Sequence, residues 1–180
     1  MTEILYLVRH AAPDWSRSDL VYHLPPGPPL TADGRQQAAA VGAYLLHMNV
    51  RQFFSSPLER CFHTAQIAAA IAGASIVMAD ELIEWQPGEQ TSVVQSRLRP
   101  IIERAASIAQ QTGPVALFTH GGPIGALLLE LGMDEPALAQ HRIYDHHNPV
   151  PTAGAWRAQR AHTGAAWELQ LTFKPEFVNL

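Results

Sequence analysis

Cysteine is nearly missing from this chain. Cys61 stands alone, so no intrachain disulfide can form, and a reducing, cytoplasmic setting is the simpler expectation. Charge is sparse as well, at 16% of residues, and cations are not in excess: twelve Lys+Arg against sixteen Asp+Glu leave a net charge of −4. No global basic field therefore recruits nucleic acid or an anionic membrane, and any anion bound must be held by a local cluster of cations. Long hydrophobic runs are lacking too. The longest apolar stretches, Ala38–Leu46 and Ile124–Leu129, fall far short of a membrane span. Met1-Thr2-Glu3 leads directly into a strand-like segment without a basic and then apolar leader, which argues against a secretory signal. No period of tens of residues repeats and no linker divides the chain, so a single domain over residues 1–180 is expected.

What is present is 47% hydrophobic residues with mean hydropathy near zero, the composition of a globule with a core of ordinary size. Ile4–Val8, Gln52–Ser55, Ser75–Met78 and Val115–Phe118 are short apolar runs that read as buried parallel strands. Between them lie helical patterns. Thr31 caps one whose apolar residues Ala38, Val41, Leu45 and Met48 recur in steps of three and four. Ser56-Pro57-Leu58-Glu59 reads as a capping box with proline at the first helical position, for a helix reaching about Ala72 and stopped by Gly73. Ser92–Gln111 is helical in pattern, with Pro100 expected to kink or divide it. Gly121-Gly122-Pro123 opens a further helix that presents Ile124, Leu127, Leu128 and Leu131 on one face and ends at Gly132. The connection Leu24–Leu30 is rich in Pro and Gly and should be extended, whereas Asp80–Glu89 is an acidic loop. Two terminal strands, Ala155–Arg160 and Ala166–Phe173, are joined through His162-Thr163-Gly164. Alternating strands and helices imply an α/β fold: three layers, helix–sheet–helix, on a mostly parallel sheet with one or two antiparallel edge strands.

Three of these strands end at or just before residues suited to anion chemistry. The first gives Arg9-His10, the second leads to Arg60, and the fourth gives His120. Ligands of open α/β sheets bind outside the carboxyl ends of the strands, so these residues should converge on one cleft. Guanidinium forks match phosphate oxygens, and Gly121-Gly122 would let backbone N–H groups and a helix N-terminus approach the same anion. A neutral histidine in this setting can attack phosphorus and form a phosphohistidine. The departing alkoxide needs a carboxylic acid, and Glu81, Glu84 and Glu89 are the candidates.

At this point four ordered segments resemble the histidine phosphatase superfamily, the phosphoglycerate mutase-like proteins. Leu7-Val8-Arg9-His10-Ala11 is similar to its Arg-His-Gly signature, and Pro29–Ala38 to its "PLT-x-x-G-x-x-QA" segment. Ser55–Ala65 resembles "SSPL-x-R-x-x-x-TA", and Phe118-Thr119-His120-Gly121-Gly122 the second-histidine motif. The resemblance implies His10 as the phosphorylated nucleophile, with Arg9, Arg60 and His120 as the phosphate pocket. Leu82-Ile83-Glu84 followed by Gly88 is similar to the family's acid motif, which favours Glu84 as proton donor over Glu81 and Glu89. The family fold is phosphoglycerate mutase-like and needs no metal or organic cofactor. The implied substrate is a small phosphorylated metabolite or a phosphoprotein.

Departures from the pattern bear on the activity. Ala11 replaces the commoner glycine, Pro13 stands where many members have Ser or Thr, and Ser16 where mutases carry Asn. The chain also lacks the length that mutases devote to closing over substrate. Hydrolysis is therefore the expected activity. The alternatives are a mutase-type phosphotransferase, a phospho-ligand or protein-binding module with little catalysis, and a metal-dependent hydrolase. For the last, His146-His147 with His141 or Asp145 is the candidate cluster, although adjacent histidines beside proline are more often exposed. Other residues have plainer readings: Glu59 as part of the cap, Cys61 as a core residue, His63 as structural. Trp15 and Tyr22 either line the cleft or pack the loop. Oligomeric state is not legible.

Overall fold

The computed structural model describes residues 2–175. Six strands form one sheet in the order β3-β2-β4-β1-β5-β6, with β1 Glu3–Arg9, β2 Gln52–Ser55, β3 Ser75–Met78, β4 Val115–Thr119, β5 Ala155–Arg160 and β6 Glu168–Phe173. The first four strands are parallel to one another, while β5 runs antiparallel to β1 and β6 to β5. The helices are α1 Ala32–His47, α2 Glu59–Ala72, α3 Thr91–Thr112, α4 Gly121–Glu130 and α5 Glu135–His141. This is the three-layer α/β arrangement, with the antiparallel strands at one edge. Among the described residues no helix is long and apolar enough to cross a membrane.

The layers follow from strand alternation. Leu5 and Leu7 of β1 join Phe54, Val115 and Leu117 under α3 and α4, while Tyr6 and Val8 join Phe53, Ala116 and Phe118 under α1 and α2. Each such large side chain taken fully out of water contributes about 1.5–3 kcal/mol, so both faces hold the sheet in place.

Three local expectations are corrected and one helix is new. The capping box does not form: α2 begins at Glu59, Leu58 is its N-cap, and no side chain caps it. Instead the carbonyl of Pro26 accepts the Glu59 N–H at 2.8 Å, so the proline-rich connection satisfies this orphan donor and Ser56 is released for another partner. Pro100 does not divide α3, which runs unbroken through it. Its side chain is exposed, so water can serve the carbonyl that loses a helical N–H. The last strand starts at Glu168, two residues later than expected. α5 was not anticipated, although Asp134 caps it by accepting from the Ala137 N–H and Pro136 lies in its first turn.

Register then fixes the site. Val8 pairs with Phe118 and Arg9 with Thr119, while Ser55 pairs with Phe118 from the other side. The residues that leave β1, β2 and β4 are therefore His10, Ser56 and His120, side by side.

Candidate active site

Backbone bonds continue one step past the strands: the His10 N–H donates to the Thr119 carbonyl and the Ser56 N–H to the Phe118 carbonyl, both at 3.0 Å. His10, Arg60 and His120 are 0% exposed, Arg9 1% and Glu84 9%. Charged groups this deep need partners, and the partners define their states.

Nδ1 of His10 lies 2.8 Å from the Ala11 carbonyl, which can only accept, so Nδ1 carries the proton and Nε2 the lone pair. The Tyr22 hydroxyl donates to that lone pair at 3.2 Å. Burial first, and then the charges of Arg60 and Arg9, push the His10 pKa well below the usual histidine value. The imidazole is thus neutral and in one tautomer. Its backbone is braced in turn, since Thr64 Oγ1 accepts from the Ala11 N–H and Gln37 Oε1 from the Ala12 N–H.

Arg60 enters from the first turn of α2. Its Nη1 donates to the Tyr22 carbonyl at 2.7 Å, and its Nη2 lies 3.4 Å from Glu84 Oε2 and 3.2 Å from His120 Nδ1. The Tyr22 ring covers the guanidinium at 3.7 Å. Because a guanidinium only donates, His120 Nδ1 is the acceptor and its Nε2–H donates to Ser56 Oγ at 2.9 Å. Burial, with the charge of Arg60 next, holds His120 neutral. The centroids of His10 and His120 are 5.2 Å apart.

Glu84 follows the short helical turn Asp80–Leu82, and its Oε1 accepts from the Trp85 N–H. Burial raises its pKa above the usual glutamate value and outweighs the opposing hydrogen bond from Trp85 and the charge of Arg60. Of the three candidate glutamates only Glu84 joins His10 and His120. Glu89 is paired with Arg97 at 3.1 Å, and Glu81 gives Arg97 its backbone carbonyl.

Arg9 lies beside this cluster, and its charge acts on His10, Glu84, Tyr22 and His120. Its two terminal nitrogens donate to the two carboxylate oxygens of Asp145 at 2.6 and 2.7 Å, and Nη1 also donates to the Val150 carbonyl. Burial would raise Asp145, yet the Arg9 hydrogen bonds and charge hold it below the usual aspartate value. Among the described residues, three buried side-chain polar atoms lack a partner, and two of them are Nε of Arg9 and Nε of Arg60. Two buried cationic donors without acceptors in one cluster describe an anion site. His10, Glu84 and His120 could offer ligand atoms within 4.8 Å of one another, but the adjoining guanidiniums oppose a metal cation there.

The glycines that open α4 make room for packing. A side chain at Gly121 would collide with Asn148, and Gly122 faces Trp85 and Glu84 Oε1. Beyond them lies a cavity of about 270 Å³ lined by Trp85, Gly122, Leu129, Arg142, His147 and Pro149. His146 and His147 are exposed, and among the described residues they belong to no metal-like cluster. Cys61 is a core residue whose thiol burial pushes up to about 12. His63 is half-buried beside Glu59 on α2. Tyr22 lines the cleft, and Trp15 stacks on it at 4.7 Å. Sequence reasoning missed Asp145 as a partner of Arg9 and Ser56 as a partner of His120.

The histidine phosphatase superfamily (branch 1) model matches residues 5–93. The chain belongs to that superfamily. It is similar to the 2,3-bisphosphoglycerate-dependent phosphoglycerate mutase of Thermoplasma acidophilum, at 26% identity over 159 residues that cover 74% of this chain and 80% of the other. Its fold is similar to that of a mycobacterial glucosyl-3-phosphoglycerate phosphatase, with a TM-score of 0.75 at 21% identity, covering 95% of this chain and 98% of that one. A phosphoglycerate mutase from Bacillus anthracis has the same fold, with a TM-score of 0.75 at 13% identity over 95% of this chain and 92% of that one. At these identities the solved structures speak for the fold alone.

Proposed function

We propose that this chain hydrolyses phosphomonoesters without a metal, through a phosphohistidine on His10. The observation that carries the reading is a neutral imidazole, fixed by the Ala11 carbonyl and buried beside two arginines with unpartnered Nε donors. The Nε2 lone pair attacks phosphorus in line, and the bond from phosphorus to the alcohol oxygen breaks with its electron pair leaving on oxygen. Arg9 and Arg60 donate to the non-bridging oxygens as charge shifts on them. His120 belongs to the same pocket, where its Nε2–H, now accepted by Ser56, is the further donor for a phosphoryl oxygen. Glu84, whose protonated form burial favours, gives its proton to the alkoxide. In the second half the Glu84 carboxylate takes a proton from water as the water oxygen attacks phosphorus. The P–N bond then breaks, which returns the pair to Nε2 and releases inorganic phosphate.

A small phosphorylated metabolite is the substrate this reading favours, in keeping with relatives named for phosphoglycerate and glucosyl-3-phosphoglycerate. Against mutase chemistry, Pro13 has no N–H, and the Ser16 hydroxyl donates to Asp14 at 2.6 Å, so neither supplies a donor for substrate. The mutase reading is favoured by the curated relative's name, and it predicts phosphoryl transfer between substrate positions with little free phosphate. The test of hydrolysis is turnover of a chromogenic phosphoester. His10→Ala should abolish it, and dialysis against EDTA should leave the wild-type rate unchanged. Activity that survives in His10→Ala, or that disappears with the chelator, overturns the reading.

A further inference from the structure

We infer that Asp145 is a positioning residue that aims Arg9 at the phosphoryl group, an inference that rests on the reading of the His10 pocket given above. A guanidinium has five N–H donors in one rigid plane. Asp145 accepts one from each terminal nitrogen, and the Val150 carbonyl accepts the second N–H of Nη1 at 3.1 Å. Two donors remain: Nε–H and the second N–H of Nη2. They lie parallel on one edge of the plane, and Nε is buried without a partner. A pair of parallel donors is the complement of two oxygens of a phosphate.

Asp145 could instead be read as a stand-in for the substrate anion, to be displaced on binding. The donors argue otherwise. An anion that took over the Nη1–Nη2 edge would leave Nε buried and unpartnered in the loaded site. With Asp145 in place, an anion on the free edge satisfies all five donors. The surroundings also fix the backbone that carries the carboxylate. The Asn148 N–H and its Nδ2 both donate to the Asp145 carbonyl, at 3.2 and 2.8 Å. His146 and His147 have φ of +53° and +56°, a left-handed conformation that non-glycine residues adopt at a cost. The His146 ring rests 5.2 Å from that of Trp15, which stacks on Tyr22. The conspicuous Asp145-His146-His147-Asn148 segment is thus explained as a bracket for one carboxylate.

The experiment measures orthovanadate affinity and the KM and kcat of a chromogenic phosphoester for the full chain carrying Asp145→Ala, Asp145→Asn, Arg9→Ala, or Arg9→Ala with Asp145→Ala. Asp145→Ala should weaken vanadate binding about tenfold or more and raise KM in proportion. Asp145→Asn, which keeps one acceptor oxygen, should lie between it and wild type. In the Arg9→Ala background the loss of Asp145 should have no further effect on vanadate, because it acts through Arg9. Tighter vanadate binding by Asp145→Ala makes the carboxylate a competitor and overturns the inference, as does an equal loss in both backgrounds. Should Asp145→Ala fail to fold, Asp145→Asn against Arg9→Ala gives the same comparison. Wild-type vanadate binding that ignores Asp145 defeats this inference alone, whereas turnover retained by His10→Ala defeats the reading of the site.

Discussion

Burial acts in opposite directions on the proposed nucleophile and the proposed acid. It lowers the His10 pKa and raises that of Glu84, so the imidazole stays neutral to more acid pH and the carboxyl keeps its proton to more alkaline pH than either free side chain would. Activity should therefore decline as pH falls through the His10 value, where the nucleophile is lost, and as pH rises through the Glu84 value, where the acid is lost. Glu84→Gln should remove the alkaline decline and slow alkyl phosphates by about 10²–10⁴-fold, with a much smaller effect on nitrophenyl esters, whose leaving group needs no proton. Rates plotted against leaving-group pKa across pH would check both effects. Tyr22 acts on the same nitrogen. Burial pushes its phenol up to about 12, so its O–H stays protonated and donates to the lone pair proposed as the nucleophile. Tyr22→Phe should accelerate the stopped-flow burst of His10 phosphorylation about two- to tenfold; a slower burst would give the hydroxyl a helpful role. His10, Arg60 and His120 were visible in the sequence because each sits at a fixed offset from a strand or helix start. Asp145 was not, because it reaches Arg9 from an irregular loop 136 residues away, where no periodicity constrains a partner.

Helices and connections around the site hold one another by backbone contact. Thr31 caps α1 by accepting from the Gly34 N–H, and the Thr31 N–H donates to the Ala12 carbonyl at 3.1 Å. A Cβ at Gly34 would run into that same carbonyl oxygen. Gly34→Ala should therefore push α1 away from the loop that follows His10 and destabilise the fold by about 1–3 kcal/mol, read as a lower Tm in thermal unfolding. If the Tm is unchanged, the close approach is more compliant than the geometry implies. Most elements could be read from the sequence because their apolar spacing is set by burial on one face. The start of α2 could not, because its cap comes from Pro26, a tertiary partner that a local four-residue pattern does not contain. Pro100 does not divide α3 for the converse reason: its penalty depends on whether the freed carbonyl can meet water, and Pro100 lies on the exposed side of the helix.

At the level of the whole molecule, a chain with net charge −4 collects buried cations at one place. The sheet order does this by setting β4 between β1 and β2, so three chain segments far apart in sequence end in adjacent rows. That convergence could be expected from strand alternation and right-handed crossovers, whereas which rows became neighbours required the pairing itself. The cleft therefore has two walls of different construction. On one, the amides of His10 and Ser56 are tied to β4 between the central strands. On the other, Trp15, Val21 and Leu24 of the connection between β1 and α1 are about half exposed. In deuterated solvent the first wall should release its amide protons only when the entire protein unfolds, while the amides around Tyr22 should exchange through small local openings at far lower free energy. Mass spectrometry of peptides from the two walls would show the contrast. The proposed nucleophile would then be built into the slowest-exchanging part of the sheet, faced by a covering segment free to move without disturbing it.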